Sequence, residues 1–374
     1  MNTPKTSPLF SPWQNPHNGV TSYILTTRPA PAQQSFYYTH PSFSDDGRFL
    51  WLTCGFPPPG GRHCQHVLGV VDFEMNEISV YPETQFPSNE PWINYETAEV
   101  YWGNHLDIWK RGPLPDDPIQ HVNQFPEALI KGKFHRLSTQ STFSPYRHTV
   151  NIDASYKRAD GSHVTIIGEM PLDGSPFIHW QTLPGYFHHG LFSPTDPDIQ
   201  LISHEYWADQ PLSDTFDGNR PYHRMWLIRK GEKARPVLPE PVSHSGHEWW
   251  SPDGKHIWYV HYGVGIKRVE ISTGNEELIQ AGAFSHAHSD QSGRYLVMDQ
   301  MDDPKAPDCH VIFMDTHTGK MTEIVNSPKL PDNATQCLHL HPHPQFCLHD
   351  RYICHTTTVH GRVDVALIPV ADLI

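Results

Sequence analysis

Two stretches of the chain share one pattern: Phe43-Ser-Asp-Asp-Gly-Arg-Phe-Leu-Trp-Leu52 and Trp250-Ser-Pro-Asp-Gly-Lys-His-Ile-Trp-Tyr-Val260. In both stretches an aromatic residue and a serine precede an Asp-Gly turn, and a short apolar run follows the turn. Asp-Gly turns join antiparallel strands into hairpins, and aromatic and β-branched residues favour strands. Each stretch therefore predicts a strand, a tight turn and a second strand.

Weaker copies of this pattern occur along the rest of the chain. They begin at Phe143, Phe192, His288 and Phe346, and a degenerate copy lies at Thr97-Ala-Glu-Val-Tyr-Trp-Gly-Asn104. Further strand-like runs lie between the copies, and several of them end in a Thr-Gly turn. Seven units of about four strands each are typical of a β-propeller, in which every unit forms one blade.

The repeat predicts an all-β protein, a seven-bladed β-propeller formed by residues 1–374 as a single domain. An N-terminal strand over residues 21–28 would complete the last blade beside Val363-Asp-Val-Ala-Leu-Ile-Pro-Val370, and this closure would cover the exposed sheet edges. The 36 prolines and the low charged fraction of 18% disfavour long helices and agree with this fold. An open β-solenoid or two β-sandwiches are the alternatives.

The charge of the chain narrows the classes of partner. The formal net charge is −14, which predicts no binding to nucleic acid or to an anionic membrane surface. A small anionic ligand is still compatible, because a bound cation and a few arginines can reverse the sign locally. The first residues lack an apolar leader, and no apolar run is long enough to span a bilayer, so we expect a soluble, cytoplasmic protein. The sequence leaves homo-oligomer formation open.

Histidine is unusually frequent, with 28 residues, and it recurs at one point of the repeat, just before the aromatic-Ser turn. Five units share this feature, in the segments Tyr38-Thr-His40, Phe187-His-His189, Ser243-His-Ser-Gly-His247, Ser285-His-Ala-His288 and His339-Leu-His-Pro-His343. The innermost strands of a propeller line its central channel, so these imidazoles are candidate metal ligands or acid–base groups. The alternative is that they hydrogen-bond neighbouring blades.

The densest group of histidines lies in Gln336-Cys-Leu-His-Leu-His-Pro-His-Pro344. In an extended segment, side chains two residues apart point to the same face, which would align His339, His341 and His343. The two prolines exclude a helix and favour a strand end or a sheet edge. The segment therefore predicts a set of imidazoles directed at one metal ion.

Four segments resemble the oligogalacturonate lyases: Arg224-Met-Trp-Leu-Ile228, His247-Glu-Trp-Trp-Ser-Pro-Asp-Gly254, Ser285-His286 and His341-Pro-His-Pro344. The resemblance is clearest from Gly185 to the C-terminus. Members of this family are seven-bladed propellers that cleave short pectin fragments by β-elimination with a divalent cation, typically manganese. The resemblance therefore implies the same fold and a related reaction.

The resemblance also implies a set of metal ligands. His286, His341 and His343 match the histidines of that set, but the position of the family's glutamine ligand is occupied by Leu338. We expect His339 to replace the glutamine, with Gln336 as the alternative. Four histidine ligands would shift the preference towards Zn²⁺ or Ni²⁺, although Mn²⁺ stays the metal that the resemblance implies.

The family's proposed proton acceptor matches Arg224. A guanidinium with a pKa above about 12 is an awkward base, whereas His247 and His189 are more ordinary bases near neutral pH. Arg224 could instead bind a carboxylate through paired hydrogen bonds. The candidate substrate-binding residues are His40, His204, Arg220 and Tyr222.

We therefore expect a metal-dependent lyase that acts on small anionic oligosaccharides. The predicted reaction cleaves short uronic-acid oligosaccharides, such as oligogalacturonate, by β-elimination and yields an unsaturated uronate. A metal-dependent glycan hydrolase is one alternative. A non-catalytic propeller that scaffolds proteins or binds a sugar is the other.

Overall fold

The computed structural model describes residues 2–56, 65–86, 90–205, 220–300, 308–328 and 341–374. Within these ranges the strands form seven antiparallel sheets, six of four strands and one of five, and the sheets are the blades of a ring. The predicted all-β, seven-bladed β-propeller is therefore confirmed.

The strands follow the order of the chain, and each of the first six blades is a run of four. Strands β1 and β2 are Phe10–Gln14 and Thr21–Leu25. Blade 1 contains β3 to β6, at Ala32–Gln34, Phe49–Phe56, Gln65–Asp72 and Glu77–Tyr81. Blade 2 contains β7 to β10, at Trp92–Ile93, Val100–Asn104, Asp107–Arg111 and Gln120–Gln124. Blade 3 contains β11 to β14, at Lys133–Leu137, Thr149–Lys157, His163–Pro171 and Ile178–Pro184.

The remaining blades repeat this arrangement. Blade 4 contains β15 to β18, at Phe187–Phe192, Ile199–His204, Met225–Arg229 and Arg235–Pro236. Blade 5 contains β19 to β22, at Ser245–Trp250, His256–His261, Gly265–Glu270 and Glu276–Ala281. Blade 6 contains β23 to β26, at Ala287–Ser289, Tyr295–Gln300, Asp308–Asp315 and Met321–Pro328. Blade 7 begins with β27 to β29, at Gln345–Cys347, Tyr352–Thr357 and Asp364–Pro369.

Blade 7 is completed by strands from the other end of the chain. Its strand order is β1-β2-β29-β28-β27, and the ladder between β2 and β29 pairs Tyr23 with Leu367 and Ile24 with Ala366. Strand β2 lies within the predicted segment 21–28 and covers the edge that β29 would otherwise expose. That residues 1–374 act as one domain stays a prediction.

The aromatic-Ser-Asp-Gly pattern explains why each hairpin turns where it does. Ser44 Oγ donates to Asp46 Oδ1 at 2.6 Å and accepts from the Phe49 backbone N–H at 3.0 Å. Gly47 supplies the left-handed backbone of the turn, with φ of 74°. Ser251 makes the equivalent bonds in blade 5. The turn is therefore determined by contacts among residues close in sequence.

The hydrophobic core lies between neighbouring blades. Trp51 of blade 1 packs in one cluster with Trp102 of blade 2, and Trp258 of blade 5 packs in another with Leu296 of blade 6. The described helical segments are two single 3₁₀ turns, at Glu127–Leu129 and Val370–Asp372. Among the described residues, helices of the length and apolarity needed to cross a membrane are absent.

Candidate functional site

Histidines with a left-handed backbone conformation lie near the starts of several inner strands. The pairing of β15 with β16 shifts register between His188 and Leu191, and that of β19 with β20 shifts around His247. His189 and His247 have φ of 58° and 53°, a region that histidine tolerates better than most residues. Bulges of this kind re-aim side chains next to functional sites. Both imidazoles thereby point out of the regular strand ladder.

The segment before β27 departs from the predicted extended conformation. His341 and His343 precede the strand without belonging to it, and His343 has φ of 44°. His343 is therefore not extended, so alternation of faces, which the prediction made conditional on an extended segment, does not explain why the two imidazoles converge. The left-handed residue bends the chain so that both rings approach His286. His339, Leu338 and Gln336 lie outside the described residues, so the replacement of the glutamine ligand stays a prediction.

Three imidazoles converge at this point of the channel. His286, His341 and His343 offer ligand nitrogens that all lie within 4.8 Å of one another. Asp299, which is fully buried like His286, is 3.0 Å from His286 Nδ1, and His286 Nε2 is 3.4 Å from His341 Nδ1. A carboxylate behind a histidine fixes its tautomer and is the usual support of a metal-binding imidazole. The three residues therefore fit a divalent transition metal.

Tyr37 occupies the centre of the histidine group. Its ring centroid is 4.7 Å from that of His343, 5.9 Å from His189, 6.2 Å from His286 and 6.4 Å from His247. The side chain is buried, and burial raises its pKa well above 10.0, so the hydroxyl keeps its proton at neutral pH. The sequence analysis missed this residue. The only local signal was a tyrosine pair next to the inner-strand segment.

His247 is held in a single tautomer. Its Nδ1 lies within hydrogen-bond distance of the Ser285 carbonyl oxygen and 2.7 Å from Tyr262 Oη. A carbonyl oxygen only accepts, so Nδ1 carries the proton and Nε2 keeps its lone pair. The ring centroid is 3.9 Å from that of His286. His247 is therefore close enough to the three metal-binding candidates to assist them or to act beside them.

Arg224 is buried between two carboxylates. Its Nε donates to Glu248 Oε1 at 2.5 Å and its Nη1 donates to Glu205 Oε1 at 2.7 Å, while a further hydrogen bond links it to Tyr222. Burial alone would lower the pKa of Arg224, but Glu205 and Glu248 raise it well above its ordinary value. This environment favours the cation strongly, which argues against proton abstraction by the guanidinium. The role open to Arg224 is to bind negative charge.

His188, His189 and Glu205 form a second group of donors. Glu205 Oε1 is 3.0 Å from His188 Nε2 and 3.9 Å from His189 Nδ1. Burial lowers the pKa of both histidines, so both are neutral at pH 7, whereas the Arg224 cation and a hydrogen bond from His188 hold the pKa of Glu205 well below 4.5 despite its burial. These donors also satisfy metal-ligand spacing, but the same oxygen already binds the Arg224 cation. The group is therefore better suited to proton transfer than to a second metal.

The four candidate substrate-binding residues separate into two places. His204 and Tyr222 contact each other, with ring centroids 6.4 Å apart, on the side of Arg224, and Arg220 is exposed in the same segment. His40 is different, because its Nε2 is 3.0 Å from the Ser141 carbonyl oxygen and its Nδ1 is 3.1 Å from Thr39 Oγ1. In the described part of the chain no contact joins His40 to the three metal-binding candidates. His40 thus joins blade 1 to a residue of blade 3, between β11 and β12, which differs from the alternative of histidines that hydrogen-bond neighbouring blades.

Comparison with known proteins gives consistent results. No family model matches the chain. Over 205 residues it is 26% identical to an oligogalacturonate lyase of Dickeya dadantii (strain 3937), and this match covers 49% of the chain and 50% of the relative. The matched region thus spans about half the length of this curated relative.

Two solved structures align over nearly the whole chain. One is an oligogalacturonate lyase in complex with manganese, with a TM-score of 0.72, 18% identity, and coverage of 98% of this chain and 97% of that one. The other is an oligogalacturonate lyase from Vibrio parahaemolyticus, with a TM-score of 0.73, 18% identity and coverage of 97% of both chains. At this identity the two structures show the fold alone. Together with the curated relative they confirm the resemblance predicted from the sequence, and the chain is a divergent, oligogalacturonate-lyase-like β-propeller.

Proposed function

We propose that this protein is a metal-dependent lyase that cleaves short uronic-acid oligosaccharides by β-elimination. The observation that carries the proposal is the pairing of two dissimilar groups across Tyr37. One group is the set of three imidazoles supported by Asp299, and the other is the buried Arg224 with its carboxylates. The first group fits a cation, and the second keeps a fixed positive charge for an anionic sugar.

The reaction removes the proton at C5 of a uronate and breaks the bond between C4 and its glycosidic oxygen. The electron pair of the C5–H bond forms the C4–C5 double bond, and the leaving oxygen takes a proton. A divalent cation at the three histidines supplies stabilisation of the negative charge that develops on the uronate as the C5 proton departs. Arg224 uses N–H groups that its carboxylates leave unoccupied to orient the substrate carboxylate.

His189 is the base that the environment favours. Burial keeps its imidazole neutral, and the Glu205 carboxylate at 3.9 Å stabilises the imidazolium that forms when the proton arrives. Tyr37 stacks on His189 and keeps its hydroxyl proton, and we assign its Oη–H as the donor that protonates the leaving oxygen. His247, whose proton is on Nδ1, is the competing assignment for the base.

Manganese is the first metal to test, since an oligogalacturonate lyase of the same fold was solved with manganese. Three imidazoles suit Zn²⁺ and Ni²⁺ as well, so the metal requires direct measurement. Elemental analysis of the purified protein and of His286→Ala should show one metal per chain in the parent and a loss in the variant. The anionic oligosaccharide partner, the cytoplasmic location and the oligomeric state stay predictions.

The decisive assay is digestion of di- and trigalacturonate followed by ultraviolet absorbance of the new carbon–carbon double bond. We expect absorbance to rise with the parent, to vanish with His189→Ala and to persist with His317→Ala, an exposed histidine of blade 6 that serves as the matched control. New reducing ends without absorbance would identify a hydrolase. Absence of cleavage by folded, metal-loaded protein on a panel of uronic-acid oligosaccharides would favour a sugar-binding or scaffolding propeller.

A further inference from the structure

A second cavity lies at the other end of the inner strands, with a volume of about 740 Å³. Its wall includes Phe192 and Trp250, the last residues of β15 and β19, whereas His189 and His247 lie three residues earlier in the same strands. The bulges at His189 and His247 shorten the usual rise of about 3.3 Å per residue, so the cavity is less than about 10 Å further along the channel than the histidine group, and its lining includes none of His286, His341 and His343. It is therefore separate from the candidate metal site.

Aromatic side chains form part of this wall. Trp250 is half-buried, and its Nε1 donates to the Leu191 carbonyl oxygen at 3.3 Å, which fixes the orientation of the indole. Tyr95 is 37% exposed and lines both this cavity and an adjoining one of about 230 Å³. Rigid aromatic rings that line a cavity of this size are typical of sites for small organic molecules.

The polar groups of the wall include both acceptors and a donor. Asp45 and Glu96 are the two acidic residues among those that line the cavity. His288 Nδ1 accepts from the Phe346 backbone N–H at 3.1 Å, so Nδ1 carries no proton and Nε2–H is a donor. The one arginine in the wall, Arg147, is already paired with carboxylates outside it.

We propose that this cavity binds a neutral saccharide of one or two rings. A pyranose has an apolar C–H face that can lie on Trp250 or Tyr95, and each hydroxyl can both donate and accept hydrogen bonds. Asp45 and Glu96 repel a uronate, which distinguishes this ligand from the anionic sugar of the first site. The His288 N–H disfavours an organic cation, because an ammonium group only donates hydrogen bonds and cannot accept one from this N–H.

The proposal is tested by calorimetric titration of the full-length protein with lactose, cellobiose and maltose. We expect at least one of them to bind with a dissociation constant on the order of millimolar, and Tyr95→Ala and Glu96→Gln to weaken it by about tenfold each. Tyr146→Ala removes a tyrosine that is 72% exposed and outside the cavity wall, and it should bind like the parent.

The same titration on His286→Ala separates the two sites. This variant removes a candidate metal ligand, so unchanged saccharide binding would support a second site whatever happens to lyase activity. Loss of saccharide binding in folded His286→Ala would overturn the proposal, because the sugar would then bind at the histidine group. Failure of all three sugars to bind would also overturn it. So would preferential binding of digalacturonate or spermidine in a manner sensitive to Tyr95→Ala.

Discussion

Replacing Asp299 by asparagine tests whether His286 is prepared for a metal ion. Asp299 Oδ1 accepts from the His286 backbone N–H at 2.9 Å and lies 3.1 Å from His286 Nδ1, while Oδ2 lies 3.0 Å from the same nitrogen. In Asp299→Asn one of these oxygens becomes an NH₂ donor next to Nδ1. The imidazole can satisfy that donor only by moving its own proton to Nε2, which removes the lone pair that would bind the metal.

The expected magnitude follows from this change of tautomer. Loss of the group that orients a metal-binding histidine typically weakens metal affinity by about 10–100-fold, or about 1.4–2.7 kcal/mol. The assay is calorimetric titration of Mn²⁺ and Zn²⁺ into protein treated with EDTA, for the parent and for Asp299→Asn. Thermal unfolding without metal measures the separate structural cost of a weakened buried hydrogen bond, about 1–3 kcal/mol.

Asp315→Asn is the matched control for this experiment. It removes another carboxylate of blade 6, one that pairs with Arg294 at 2.9 Å and does not contact His286. Metal affinity should be unchanged in the control. If Asp299→Asn binds metal as tightly as the parent while His286→Ala does not, the tautomer argument is refuted. If His286→Ala also binds normally, the proposed ligand set is wrong.

Three further changes test other parts of the molecule. Tyr37→Phe should lower kcat by about 10–100-fold without changing Mn²⁺ affinity, and an unaltered kcat would exclude a proton-transfer role for the hydroxyl. Gly190→Ala places a methyl group 2.6 Å from Asn151 Nδ2 in the bulge beside His189. Urea titration should therefore show that the free energy of unfolding falls by about 1–3 kcal/mol, whereas a midpoint like that of the parent would show that the bulge tolerates a side chain. Burial raises the pKa of Glu90 from 4.5 to about 7, so the parent protein loses stability as the pH rises from 4.5 to 7 and the buried carboxyl loses its proton. The free energy of unfolding of Glu90→Gln relative to that of the parent should therefore grow over this pH range, and a constant difference would contradict the raised pKa.

The fold could be predicted because its signals are local. The turn of each hairpin depends on hydrogen bonds within a few residues, as at Ser44 and Asp46, and these residue types are visible in the sequence. The degenerate copy in blade 2 makes its turn with different chemistry, since Asn94 Oδ1 accepts from the backbone N–H groups of Glu96 and Thr97. That copy could be located only by spacing.

The site could be predicted only in part, because its state depends on contacts between blades. The sequence pattern identified His286, His341 and His343, which do converge. It could not show that Glu248, from the next blade, would hold Arg224 as a cation. It also could not place Tyr37, which lies three residues after β3 and outside the strand ladder. Register alone did not distinguish these residues from His40.

The closure of blade 7 has a consequence for the order in which the protein can mature. Strands β1 and β2 precede blades 1 to 6 in the chain, whereas their partner β29 follows all six, so the two strands must wait for those blades to be translated before they can pair. His341 and His343 lie directly before β27, at the start of the same late segment. The ring and the histidine group are therefore completed together, after the first six blades have been translated. A chain truncated before this segment lacks the closed ring and two of the three histidines. Metal can therefore bind at the three histidines only after the segment before β27 has been translated.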